Sequence, residues 1–508
     1  MSTRKKRKKV KLNNLLILLV LISSLILIYN ILLLGPIEKG IRYIIIAFII
    51  FINYIFFTIK NKKKKQIATM MMIIFICVNV VLSYSINKIY SIVDSINKNK
   101  ITYSTSLVSL TKSDIKSIDE IDDYKIGIID DTLSIDNYVI AKEIIDDKKL
   151  DKDNDIISYD DLVVMAKDLY DGKIDLMFIS SNYKVMLDNT EGFENINNET
   201  KVLFTKEKTI KKENNTSSVF SNSDIKPFSI LLMGVDSEKD GLKKNAYANG
   251  DGLMILTVNP ETLNITMMSI PRDSYVPISC RNNTKNKLTH AGWFGTDCMI
   301  ETIENKFDIE LNYYVKVNFK GVVSIVDALG GVEVDVPKKL CTDNSDRQGE
   351  ICINKGLQTL NGEQALVLAR NRYDLALGDI DRGYNQQLLI KALINKATEI
   401  RSVNTVIDLL EKLSNNLDTN LTTEEILSFY NIFKDILLSR EYQSNNDLIN
   451  IIQIKLAGTN KKVYFKNLKS NLWIYELNDE SVKNASSEMK INLGQEKPKL
   501  EKEFNFKP

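Results

Sequence analysis

Arginine is scarce in this 508-residue chain: eleven of its 67 basic residues are arginine, and none falls between Arg42 and Arg272. Three of the eleven nevertheless crowd into LVLARNRYDLALGDIDRGYNQQ, where Arg370, Arg372 and Arg382 are interleaved with Asp374, Asp379 and Asp381. A solvated charged face could have used lysine. A guanidinium differs in its planar fork, which offers two hydrogen bonds in fixed geometry and so suits an oxyanion such as phosphate. Arg370 and Arg372 are two apart, which places them on one side only if the backbone there is extended. Asp379, Arg382 and Gln386 are spaced three and four, which stacks them on one face of a helix starting near Asp379. The spacing predicts an extended turn leading into a helix N-terminus, itself an anion-binding element, with guanidinium groups from both pieces facing one point.

Further charged residues fall at the ends of expected strands. FSILLMGVD reads as a buried strand ending at Asp236, and Asp251 opens the next strand. GLMILTVNPETLNITMMSIPRD reads as a hairpin turning at Asn-Pro-Glu-Thr, with Arg272 after its second strand. A helix near Cys298 to Lys306, the strand YYVKVNF, the helix KGVVSIVDALGG and several later helices follow. The expected fold class is α/β, a mixed β-sheet flanked by helices on both faces. Such sheets bind ligands at strand ends and adjoining loops, where Asp236, Asp251 and Arg272 could converge. Two carboxylates without histidine favour a hard, oxygen-loving cation such as Mg²⁺, which commonly bridges carboxylates to phosphate oxygens.

Composition excludes other chemistry. A net charge of +2 makes no case for nucleic-acid binding. One histidine and no CxxC pair argue against zinc. His290, in KLTHAGWFG, reads as a packed or hydrogen-bonded loop residue rather than a base. The favoured cysteine pairings are Cys280 with Cys298 and Cys341 with Cys352, four reduced thiols being the alternative; Cys77 falls in an apolar run.

Three apolar runs, Leu15 to Leu34, Ile41 to Ile59 and Ile67 to Ile86, are each long enough to cross about 30 Å of hydrocarbon. RKKRKKVK precedes the first and KNKKKK separates the second from the third, so the positive-inside rule puts the N-terminus in the cytoplasm and the chain beyond Lys88 outside. Asn53 and Asn79 read as polar residues tolerated within spans, with hydrogen bonding between helices as the alternative. The expected organisation is a basic cytoplasmic N-terminus (1–13), a membrane anchor (14–88), an extracytoplasmic accessory domain (100–215), a linker (216–227), the main domain (228–493) and a disordered tail (494–508). In the accessory domain the strand KIGIID, the helix YDDLVVMAKDLYDG stopped by Gly172, and the strand KIDLMFIS suggest a parallel crossover.

The series ILLMGVD, SIPRDSYV, YYVKVNFKGVVSIVDALGGVEVDVP, LNGEQALVLARNR and GDIDRGYNQQ, in that order, resembles the LytR-CpsA-Psr (LCP) family of cell-wall glycopolymer ligases. Three spans followed by an accessory domain resemble its CpsA branch. The resemblance implies a phosphotransferase in the cell membrane with its catalytic domain outside. Its partners would be an undecaprenyl-pyrophosphate-linked glycopolymer (teichoic acid, capsular polysaccharide or similar) and peptidoglycan, joined through a phosphodiester. It further implies Mg²⁺ on Asp236 and Asp251, pyrophosphate-binding arginines at Arg272, Arg370, Arg372 and Arg382, and Asp379 and Gln386 as the polar residues that hold them. Two departures stand out: NGDG keeps Asp251 but lacks the family's flanking arginine and threonine, and Asn385 stands where a further arginine is usual. The prenyl chain requires an apolar tunnel, for which the apolar faces of GVVSIVDAL and QQLLIKALI are candidates, with core packing as the alternative. Asp273 is open to two readings, a general base or the partner of an arginine. A lipid pyrophosphate phosphatase and a non-catalytic envelope regulator that binds prenyl pyrophosphate would use the same residues.

Overall fold

The computed structural model describes residues 2–33, 39–58, 64–96, 100–132, 134–187, 190, 192–211, 226–235, 250–342, 349–400, 403–414, 416–423, 425–426, 428–429, 449–465 and 470–498. Most of the expected linker, the end of the tail and Asp236 lie outside these residues.

The N-terminal apolar runs form helices Ser2–Leu33, Lys39–Thr58 and Lys64–Ile96, each long and apolar enough to cross a membrane. The asparagines are not merely tolerated. Asn79 Nδ2 donates to Ser23 Oγ at 3.1 Å and Ser24 Oγ at 3.0 Å, and Asn53 Nδ2 donates to Ser24 Oγ at 2.9 Å. All three helices thus meet at one polar node, where surrounding apolar groups offer no competing partner.

Strands Asp155–Tyr159, Lys125–Ile129, Leu176–Ser180, Lys100–Leu110 and Thr200–Lys211 form a five-stranded sheet in that spatial order, the first three parallel. The expected crossover is present. Its helix Leu162–Tyr170 is capped by Asp161, whose carboxylate accepts from Val163 N at 2.8 Å, and Gly172 follows at φ +70°. That helix covers one face of the sheet and helix Ile140–Lys148 the other.

The larger sheet runs Leu417–Thr419, Tyr313–Asn318, Phe228–Val235, Gly250–Asn259, Asn264–Ile270 and Asn450–Ile454. It is mixed: Tyr313–Asn318 is parallel to Phe228–Val235 and Asn450–Ile454 to Asn264–Ile270, while the other neighbours are antiparallel. Alternation places Leu231, Met233, Leu253, Ile255, Met268 and Ile270 on one face, against helices Thr296–Phe307 and Asp479–Asn492. On the opposite face Met254, Leu256 and Met267 lie beneath Ile390 of helix Asp379–Ala397. This is the mixed, helix-flanked α/β architecture expected from the sequence.

Both disulfides form, Cys280–Cys298 and Cys341–Cys352, and Cys77 is free. Arg281, next to the first, joins the two sheets' domains. Its Nη1 lies 3.2 Å from Asp131 Oδ2, its Nη2 donates to the Asp160 carbonyl, and its guanidinium sits 4.8 Å from the centre of the Phe294 ring. Trp293 and Leu472 pack into the accessory core beside it.

Candidate active site

Arg370 is the last residue of helix Gly362–Arg370, not part of an extended turn. Asn361 and Gln364 close a capping box at its start: Asn361 Oδ1 accepts from Gln364 N at 2.9 Å, and Gln364 Oε1 accepts from Asn361 N at 3.0 Å. Burial of Ala365, Leu366, Val367 and Leu368 then carries the helix to the arginine. Only Asn371 is extended before Arg372 (φ −61°, ψ 129°). Arg372 Nη2 donates to Tyr373 Oη at 2.9 Å, and this bond holds the phenol below its ordinary pKa.

The interleaved carboxylates do different work. Asp374 Oδ2 accepts from Asn371 Nδ2 at 2.8 Å and Cys341 N at 3.2 Å; the Cys341 amide and then Asn371 hold it below the usual aspartate range. It therefore braces the loop against the Cys341–Cys352 hairpin. Asp381 Oδ2 accepts from Leu377 N at 3.0 Å and closes the preceding turn. Asp379 is the one that engages the arginines. It opens helix Asp379–Ala397 after Gly378 (φ +55°), pairs with Arg382 one turn on, and accepts from the Arg272 backbone N–H at 3.3 Å. Arg382 is only 7% exposed, so its charge needs an anion close by.

Gln386 joins this assembly to the neighbouring strand. Its Nε2 donates to the Ala369 carbonyl at 3.1 Å, and its amide lies so close to Gly252 that a Cβ there would come within 3.1 Å of Nε2. Asp251 precedes that glycine. Gly234 pairs with Gly252 and Val235 with Gly250, leaving Asp251 as the extra residue of a bulge. The Asp251 side chain and all of Asp236 lie outside the described residues. Among the described residues, Cys341, Glu350 and Cys352 come within ligand distance of one another, but the two sulfurs are bonded together. Asn385 is 1% exposed and its Nδ2 has no partner among the described residues.

Asp273 pairs with a lysine, Lys287, at 2.9 Å. Burial raises its pKa, but Lys287 and Arg272 outweigh that, and the carboxyl titrates below its ordinary value. Lys287 was missed by the sequence reading; no local pattern marks a partner fourteen residues away. His290 is packed, as expected: its ring stacks on Trp293 at 3.7 Å and its Nδ1 lies 2.9 Å from Asn286 Oδ1. Burial, aided by Lys287, pushes its pKa down to about 3, so it is neutral. Of the proposed tunnel residues, Val326, Leu389 and Ala392 belong to the core of the helical layer, whereas Ile390 faces the sheet. Beside Asp379 opens a cleft of about 400 Å³, lined by Pro271, Asp273, residues 375–380, Asn460 and Tyr475.

A mixed α/β sheet with an arginine–aspartate pair beside it, behind three helices long and apolar enough to cross a membrane, is the arrangement to set against known proteins. The LytR_cpsA_psr family model matches residues 194–491, and the chain belongs to that family, as a phosphotransferase-type enzyme. The match begins ahead of strand Thr200–Lys211, which completes the accessory sheet. Polyisoprenyl-teichoic acid–peptidoglycan teichoic acid transferase TagU of Bacillus subtilis is 34% identical over 268 residues, 53% of this chain and 78% of its own length. TagU of Bacillus licheniformis is 33% identical with the same coverage. Among solved structures, B. subtilis TagV is 28% identical over 53% of this chain and 98% of its own, with a TM-score of 0.43.

Proposed function

We propose that the chain transfers a glycopolymer from an undecaprenyl-pyrophosphate carrier to peptidoglycan through a phosphodiester bond, with its catalytic domain outside the membrane and its N-terminus in the cytoplasm. The observation that carries this reading is the Arg272–Asp379–Arg382 assembly, tied through Gln386 to the helix that ends at Arg370. Phosphoryl transfer needs little covalent help from the protein; it needs the attacking hydroxyl positioned and the charge on the phosphate oxygens and leaving group neutralised. The acceptor hydroxyl attacks the phosphorus next to the polymer, the bridging P–O bond of the pyrophosphate breaks, and prenyl phosphate leaves. Guanidinium groups on Arg272, Arg370, Arg372 and Arg382 face the departing charge. Asp379 pairs with the Arg382 guanidinium and holds the Arg272 backbone, and Gln386 fixes the Arg370 helix end against the strand that carries Asp251. Asp236 and Asp251 would offer carboxylate oxygens of the kind that suit Mg²⁺, which when bound would neutralise phosphate charge. The apolar sheet face at Met254, Leu256, Met267 and Ile390 is where the prenyl chain would lie.

The test is transfer of labelled polymer from a prenyl-pyrophosphate carrier to purified peptidoglycan by the full chain in lipid vesicles. Arg370→Ala should lower kcat/KM at least tenfold, because a charge-assisted phosphate contact contributes about 1.5 to 3 kcal/mol. Near-normal transfer by that variant would remove Arg370 from the mechanism. Absence of polymer–peptidoglycan product with the unmodified chain would defeat the reading as a whole.

A further inference from the structure

The proposed reaction needs an acceptor that reaches the phosphorus from the side opposite the lipid, and the arginine assembly supplies nothing to bind it. From the fold, we infer that the ribbon formed by strands Gly458–Phe465 and Ser470–Leu477, with the cleft it borders, is the binding site for the acceptor's glycan strand. This rests on the transfer reading above and deepens it.

The ribbon is pinned to the catalytic segment by its backbone. Tyr475 N donates to the Asp273 carbonyl at 2.8 Å, and Ser274 bridges to Tyr475, so its register is set one residue from Arg272. Cross-strand partners share a face, and alternate residues repeat it. Asn460 pairs with Tyr475, Lys462 with Trp473, and Tyr464 with Asn471. All six therefore lie on one side of the ribbon. Asn460 and Tyr475 line the cleft beside Asp379; Lys462, Trp473 and Tyr464 continue that side outward. Gly458 makes this possible, because a Cβ there would come within 2.6 Å of the Tyr475 ring.

Along this line the aromatic side chains become exposed where a core would hide them: Trp473 is 60% exposed and Tyr464 55%. Two alternating steps span about 13 Å, comparable with two to three pyranose rings. Sugar rings present apolar C–H faces that stack on aromatic rings, and their hydroxyls pair with amides such as Asn460. The Lys462 ammonium, 5.0 Å from the centre of the Trp473 ring, complements the carboxylates that peptidoglycan stems carry.

Tryptophan, tyrosine and lysine also suit a bilayer interface, but the ribbon is placed against that use. The third membrane helix packs on helix Val403–Ser414 and strand Leu417–Thr419, at one edge of the large sheet. The ribbon follows Asn450–Ile454 at the other edge, five strand spacings or about 24 Å away.

The experiment uses the full chain in lipid nanodiscs, with soluble tetrasaccharide-peptide fragments of peptidoglycan as the probe. The sequence has two tryptophans; Trp293 is 2% exposed, so acrylamide quenching reports mainly on Trp473. The fragments should shield that signal, and Trp473→Ala should raise the acceptor KM about tenfold, the equivalent of ~1.4 kcal/mol, with kcat and the donor KM unchanged. An unchanged acceptor KM alongside normal transfer overturns the inference and leaves the transfer reading standing. Quenching of Trp473 by brominated lipid in the nanodisc, with no shielding by fragments, also overturns it in favour of a membrane patch. Shielding by fragments in a chain that transfers nothing would support the glycan site while defeating the transfer reading.

Discussion

Asp379→Asn separates charge from shape at the centre of the site. The amide oxygen still accepts from the Arg272 N–H, but the NH2 then faces Arg382, so both the negative charge and the acceptor opposite that guanidinium are lost. The Arg382 side chain is 9% exposed and that of Asp379 24%. Breaking a fully buried pair costs about 3 to 5 kcal/mol because one charge is left uncompensated; the partial exposure of Asp379 discounts this to about 2 to 3 kcal/mol. For a domain of this size that corresponds to a fall of roughly 4 to 10 °C in Tm. Inorganic pyrophosphate supplies the missing anion, so it should raise the Tm of the variant more than that of the unmodified protein. In the transfer assay, misalignment of Arg382 should cost about ten- to a hundredfold in kcat/KM. Calorimetry of the full chain with and without pyrophosphate reads the first two effects. A variant that keeps its Tm within about 1 °C, or whose deficit pyrophosphate does not narrow, refutes the idea that Asp379 supplies the negative charge that the buried Arg382 needs.

Two further predictions concern stability. His290 takes up its proton near pH 6.5 when unfolded but only near pH 3 when folded, so its contribution is complete above the unfolded value and is lost as pH falls from about 6.5 towards 3. His290→Gln should flatten that acid limb, whose slope from this residue is up to ~1.4 kcal/mol per pH unit; an unchanged profile of Tm against pH would show that the imidazole is not kept neutral. Replacing Cys280 and Cys298 together by serine opens a loop of 18 residues, which should lower stability by about 3 kcal/mol. Urea denaturation measures it, and equal midpoints for variant and unmodified protein would contradict the expected constraint.

Much of this fold was legible because its elements are strongly periodic. Alternation in the hairpin Gly250–Asn259 and Asn264–Ile270, and the three-and-four spacing after Asp379, both translate directly into structure. The interval of two between Arg370 and Arg372 does not mark an extended segment, because the capping box of Asn361 and Gln364 is the stronger local signal and starts a helix that runs nine residues to Arg370. The polar node between the membrane helices was hidden for another reason. An asparagine in an apolar run shows its cost but not its partner, and Ser24 lies 55 residues from Asn79. Lys287 and the ribbon at Tyr475 likewise reach the site through tertiary pairing alone.

The third membrane helix sets where this enzyme can work. Twenty residues, Ile67 to Ile86, use up about 30 Å of its length. Only two residues later Lys88 pairs with Glu411 of the catalytic domain at 2.6 Å, and Asp94 then accepts from Thr423 at 3.4 Å. These two contacts hold the catalytic domain against the last turns of the third helix, with no free linker between them. A carrier confined to the bilayer plane would therefore meet the site by lateral diffusion. The encounter rate would scale with the carrier's surface density rather than its bulk concentration, and the depth of wall open to modification would be fixed by the height of the protein itself.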